Sequence, residues 1–228
     1  MAGRYFEGED LGTFEYEIHR QSASRGLAYF SVLNPRQYFS TQDAIDGPED
    51  LAQGYVYYKD KYQKASEVDY TAISGAGSIV TNVLDYSKWL KAQLSQSGSI
   101  SREGYKALRT PRIAASYDTG PQPFTGPENY ALGWSNGVYK GYEWFEHGGG
   151  TISFGTELIF FPALNYGVVM FGNTAGTSTF AESVLLWHLV DEKLRISKEE
   201  RFDFNQKYVL LLYTSSELLS SYSRCIQV

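Results

Sequence analysis

Cysteine is nearly missing. Cys225 is the one cysteine in 228 residues, so no disulfide closes within the chain, and a reducing compartment is permitted. The histidines are three, His19, His147 and His188, and with one cysteine they form no metal-ligand spacing. No metal and no other cofactor is therefore expected. No apolar run reaches the roughly 18 residues that a membrane span needs. Residues 1–10 are polar and acidic, without the apolar stretch of a secretory signal. These absences read as a cytoplasmic chain with no membrane span. Clustered positive charge is missing too. With 20 Lys and Arg against 26 Asp and Glu, the net charge is -6, so nucleic acid has no electrostatic footprint to meet.

What remains is an ordinary globular composition, 43% apolar, that can bury a real core. The first 34 residues pattern weakly. Phe14 to Ile18 alternates, and Gly26 to Leu33 fits a short apolar strand stopped by Asn34-Pro35. Residues 36–70 are polar and tyrosine-rich. Asp46-Gly47-Pro48 marks a turn, and Gly54 to Tyr58 predicts a strand turning at Lys59 to Tyr62. The small-residue loop Ile73 to Val80 leads into the clearest helix, about 82–94, with Thr81 as its expected N-cap. The glycines at 75 and 77 lack the Gly-Lys-Ser/Thr ending of a phosphate loop and fit a tight approach to that helix. A second helix is predicted over 101–109, closed by Pro111, and then a Gly/Pro loop over 113–129.

The C-terminal half is richer. Strands are expected near 130–135, 143–149, 155–161 and 166–171, with a turn near Asn136-Gly137. The last two are apolar on both faces, so the sheet should be covered on both sides. Alternation separates Leu158, Phe160 and Met170 from Ile159, Phe161 and Phe171. A helix is predicted over 179–194, carrying His188 as a packed or rim residue, and 208–213 is strand or helix. Within this frame one stretch points to chemistry: Glu143 to Glu146 runs straight into His147-Gly148-Gly149-Gly150-Thr151. A histidine at a strand end, followed by residues with no side chain to block a ligand, fits the wall of an active site. A strand histidine packed beside turn glycines fits the same residues.

Three pieces together resemble the serine β-lactamase and D-alanyl-D-alanine carboxypeptidase superfamily, in its class C-like and esterase-like branch. They are Ile73 to Asn82 with Asp85 to Leu90, then Tyr130-Ala131-Leu132-Gly133-Trp134, then His147 to Thr151 with Phe154-Gly155, the two apolar strands and Gly172-Asn173-Thr174. The resemblance implies an α+β fold of the β-lactamase/transpeptidase kind, an antiparallel sheet flanked by helices. It implies a partial domain over 38–194, an unassigned segment over 1–37 and a weakly patterned tail over 195–228. It also implies a small-molecule ester or amide substrate cleaved through an acyl-serine. His147 would be the catalytic residue of the cleft strand, Gly148, Gly149 and Thr151 would line the substrate, and the Gly150 backbone N–H would be an oxyanion donor.

The same family needs a Ser-x-x-Lys unit, in which the lysine helps take the serine proton. These 228 residues contain none. Ser22-Ala23-Ser24-Arg25 has the spacing but ends in an arginine, which cannot act as a base, and Ser87 to Lys91 is one residue too long. The Tyr-x-Asn or Ser-x-Asn element is also absent from any fitting position. The resemblance therefore implies the C-terminal part of the fold, lacking the N-terminal catalytic portion: a truncated or degenerate hydrolase. Its uncovered apolar faces would favour self-association. The alternative is a non-catalytic protein that binds a ligand or partner on the same remnant. An α/β-hydrolase using His147 to Gly150 as its oxyanion loop would need Gly-x-Ser-x-Gly downstream, which is not present.

Overall fold

The computed structural model describes residues 2–7, 41–47, 51–59, 61–115, 124–174 and 177–203. The strands expected at 14–18 and 26–33, the segment 208–213, His19 and Cys225 lie outside these residues. The elements in order are β1 (Ala2–Glu7), α1 (Thr41–Ile45), β2 (Tyr55–Tyr58), β3 (Lys61–Lys64), α2 (Ser74–Gly77), α3 (Val83–Ser95), α4 (Arg102–Arg109), β4 (Ile113–Ala114), β5 (Phe124–Tyr130), β6 (Ser135–Tyr139), β7 (Tyr142–Glu146), β8 (Gly149–Gly150), β9 (Gly155–Phe161), β10 (Tyr166–Gly172) and α5 (Thr177–Leu194). The fold is α+β. One antiparallel sheet runs β1-β10-β9-β7-β6-β5-β4, and β8 pairs with β9 beyond the end of β7. The β2–β3 hairpin stands apart as its own small sheet.

Both faces of the sheet are covered, as the two-sided apolar strands require. On one face α5 lays Leu186, Trp187 and Val190 on Tyr139, Trp144, Ile159, Phe161, Tyr166, Val168 and Met170. On the other, Leu90 of α3 packs with Ala131, Trp134, Phe145, Leu158, Phe160 and Val169. The Arg109 guanidinium of α4 closes this second core, 5.5 Å from the Phe145 ring and 5.1 Å from Phe160, and donates to the Gln93 carbonyl. Met170 and Phe171 are exchanged relative to the sequence expectation. Met170 pairs with Glu157 and so shares a face with Ile159 and Phe161, and Phe171 pairs with Thr156. Cross-strand register decides which residues share a face, and residue parity read along two separate strands does not.

Four local expectations change. Residues 131–134 are a turn and not a strand: the Ala131 N–H donates to the Trp134 carbonyl at 2.8 Å, and both side chains drop into the core. Asn136 and Gly137 lie inside β6. The turn is Lys140-Gly141, whose φ values of 50° and 84° suit a two-residue hairpin. The Gly/Pro stretch still forms β5, because its register shifts between Thr125 and Asn129 and leaves Pro127 where the ladder is broken. The cap of α3 is Asn82, not Thr81. Its Oδ1 accepts from the N–H groups of Leu84 and Asp85 at 3.0 Å each, and its Nδ2 donates to Asp85 at 2.7 Å. Replacing Asn82 by alanine is expected to lower stability by about 1–2 kcal/mol, seen as a lower urea midpoint with an unchanged m-value. Strand β1, which pairs with Tyr166 to Phe171 of β10, has no counterpart in the sequence expectations.

Candidate active site

The strand of interest is broken in the middle. Tyr142–Glu146 pairs with β6 on one side and β9 on the other, and after His147 and Gly148 the chain resumes beside β9 as β8. On its other side β8 pairs with no strand among the described residues. The His147 N–H donates to Leu158 O at 3.0 Å, and the Thr151 N–H donates to Phe154 O at 2.9 Å. Backbone N–H groups alternate in direction along a strand. Those of Gly148 and Gly150 therefore point away from β9, toward the open edge. His147 and the three glycines are exposed along that edge.

Two tyrosines that carried no assigned role converge here. The Tyr130 hydroxyl, at the end of β5, lies 3.5 Å from His147 Nε2. It is the side chain that reaches the imidazole among the described residues. Beyond the glycines, the Ile152 N–H donates to the Tyr70 hydroxyl at 3.4 Å, while Thr151 Oγ1 accepts from the Phe154 N–H at 3.2 Å and shapes the turn into β9. Tyr70 is held in turn: its N–H donates to Thr41 Oγ1, whose hydroxyl donates to Asp69 at 2.7 Å. Hydrogen bonds from Thr71 and Thr41 hold the Asp69 carboxyl below its ordinary pKa. Sequence spacing could not pair Tyr130 with His147, because a turn and a hairpin separate them. The sharp-turn glycines gave no signal for Tyr70.

Of the residues assigned by sequence, His147, Gly148, Gly149, Gly150 and Thr151 form one continuous wall. His188 lies away from it on α5 as an exposed residue, 3.2 Å from Arg201 and 3.8 Å from Glu192. Behind the wall is a feature the sequence did not announce. A Cβ on Gly148 would lie 3.1 Å from Glu157 Oε1, so the Glu157 carboxyl packs against the back of the strand. Burial, with Glu182 adding its like charge, pushes Glu157 up to about 7. Among the described residues no three His, Cys, Asp or Glu side chains cluster to hold a metal, and no helix is long and apolar enough to cross a membrane.

This arrangement has recognisable relatives. An unguisins hydrolase of Aspergillus campestris is 37% identical over 196 residues, covering 84% of this chain and 35% of that protein. An unguisins hydrolase of Aspergillus violaceofuscus is 36% identical over 192 residues, covering 77% of this chain and 34% of its own. The chain thus spans about a third of the length of these curated relatives. The octameric penicillin-binding protein homologue from Pyrococcus abyssi shares the fold with a TM-score of 0.61 at 21% identity, over 77% of this chain and 37% of that one. The Beta-lactamase family pattern matches residues 26–190, which carry α3, both cores and the open edge at β8, and the chain belongs to that family.

Proposed function

We propose that this chain supplies the carbonyl-binding edge of a β-lactamase-like serine hydrolase acting on a small ester or amide, and does not carry out the acyl-serine step by itself. The observation that carries this reading is the open edge at β8, with the Gly150 N–H directed away from β9 and His147 exposed beside it. A fixed N–H on a rigid strand is suited to charge developing on a substrate oxygen, and one such donor is worth about 3 kcal/mol in hydrolases of this kind. Gly148 and Gly149 leave room for the substrate to lie along the strand, with Thr151 closing its end. The catalytic role falls to His147, set by the Tyr130 hydroxyl at 3.5 Å. The relatives' designation as hydrolases supports a hydrolytic reading.

The nucleophile is the part not supplied. The 228 residues hold no Ser-x-x-Lys, and loss of one member of such a unit removes most of the catalytic gain. In this reading these residues hold the substrate-facing edge of the family's site and not its nucleophile. Incubation with a fluorophosphonate probe and with a p-nitrophenyl ester is expected to leave every serine unlabelled and to give no burst. A single labelled serine, lost on its alanine substitution, would overturn the reading. Unlabelled folded protein that binds a ligand on β8, seen as shifts of the Gly148 to Gly150 amides, would support it.

A further inference from the structure

The sheet face behind the open edge holds two carboxyls that the reading above does not use. Glu157 of β9 and Glu182 of α5 lie on the side away from His147. Glu182 is fully buried and packs against Gly155 and Gly172, where neighbouring strands carry no side chain. Its two oxygens make no hydrogen bond of normal geometry, although the Ser178 hydroxyl lies beside it, and burial raises its pKa. Glu157 lies between Gly148 and Ser183. Ser183 Oγ is 3.1 Å from Glu157 Oε1 and 3.0 Å from the Thr179 carbonyl oxygen.

The hydrogen count at Ser183 decides what Glu157 does. A hydroxyl has one hydrogen, and a backbone carbonyl can only accept. When Ser183 gives its hydrogen to Thr179 O, the contact with Glu157 needs a donor on the carboxyl. A neutral Glu157 supplies it; when the carboxyl is ionised, the Ser183 hydrogen turns from Thr179 O to Glu157 Oε1, a bond that favours the charged form. Among the described residues, burial and the charge of Glu182 favour the neutral form and outweigh the Ser183 hydroxyl, which favours the ionised one. From α5 the charged neighbour is Glu182, of like sign. From β10 the paired residue is Met170, without charge. His147 adjoins Gly148 in the chain but donates its backbone N–H to Leu158 and is reached by Tyr130.

We infer that Glu157 is a positioning residue for the carbonyl-binding edge: its proton-bearing carboxyl, hydrogen-bonded to Ser183 and seated against Gly148, fixes β8 from behind and so aims the outward N–H groups. Ionisation places a negative charge on the carboxyl that fills the space a Gly148 Cβ would occupy, beside Glu182. The strand segment, held by its β9 pairing and at its ends by Tyr130 on His147 and Tyr70 on Ile152, then shifts at its glycines. The edge is set at low pH and released as pH rises through the Glu157 titration.

The importance of that displacement for substrate rests on the reading of β8 as the carbonyl-binding edge; the titration itself does not. The test is a pH series on isotope-labelled full-length protein in a His147→Gln background, which removes the imidazole contribution. It follows the Glu157 side-chain carboxyl carbon and the amides of Gly148, Gly149 and Gly150. The carboxyl is expected to titrate near pH 7, and the three glycine amides to move with the same midpoint. Glu157→Gln should abolish the glycine movement and hold those resonances at their low-pH positions, because a side-chain amide still donates to Ser183. Glu182→Gln should lower the midpoint. Ser183→Ala should lower the amplitude of the glycine movement, which serves if Glu157→Gln does not fold. A carboxyl that titrates in the ordinary glutamate range, or glycine amides that ignore its titration, overturns the inference. Neither outcome depends on whether a serine is labelled by fluorophosphonate.

Discussion

Trp187→Ala is expected to lower the stability of the chain by about 3–5 kcal/mol. Trp187 projects from α5 and is 4% exposed. Its ring meets Phe124 of β5 at 5.2 Å, Tyr139 of β6 at 4.8 Å, Trp144 of β7 at 6.0 Å and Phe161 of β9 at 6.5 Å between centroids. One side chain thus ties the helix to four strands, in tilted or edge-on geometries that add to the area effect. Alanine leaves a cavity that four rings on a paired sheet cannot collapse to fill. The loss is a large fraction of the roughly 5–15 kcal/mol that holds a domain folded. Urea denaturation followed by tryptophan fluorescence and circular dichroism would measure it. Leu185→Ala on the same helix, at an exposed position, should change stability by no more than about 0.5 kcal/mol. Equal effects from the two substitutions would show that α5 does not pack as described.

The contrast between those two neighbours bears on what the sequence could reveal. Strands β9 and β10 and helices α3, α4 and α5 were legible because their apolar content and caps are local signals. So was the two-sided burial of the sheet. Registers were not: Met170 and Phe171 exchange faces because β10 is aligned to β9 by the Pro162–Leu164 connection, which numbering alone does not show. The wall from His147 to Thr151 was legible as a motif because it is contiguous. Tyr130, Tyr70 and Glu157 were not, since each arrives from another element and only pairing brings it there. Glu157 was hidden twice over. It sits among Leu158, Ile159, Phe160 and Phe161 in an apolar strand, where a lone glutamate reads as an edge residue. The structure instead turns it inward, against Gly148 and Ser183.

That inward placement gives stability an unusual dependence on pH. The ordinary glutamate value is 4.5, and Glu157 is pushed up to about 7 when folded. Below 4.5 both states hold the proton and the group contributes nothing. Between 4.5 and 7 the unfolded chain releases a proton that the folded chain keeps, so rising pH favours unfolding. The slope approaches about 1.4 kcal/mol per pH unit. Above 7 both states are ionised and the penalty is constant. A difference of 7 minus 4.5 corresponds to about 3 kcal/mol at most, and partial solvent access to the carboxyl reduces it to about 2 kcal/mol. Glu157→Gln removes this loss, so the variant should match the wild type at pH 4.5 and exceed it by about 2 kcal/mol at pH 8. Glu182 remains buried in the variant without its like-charged neighbour, so the measured difference belongs to the pair. Urea midpoints of both proteins from pH 4 to 8.5 provide the comparison. Parallel curves, with no added stability in the variant at high pH, would mean that Glu157 is ionised in the folded chain at no cost and that nothing behind β8 responds to its proton.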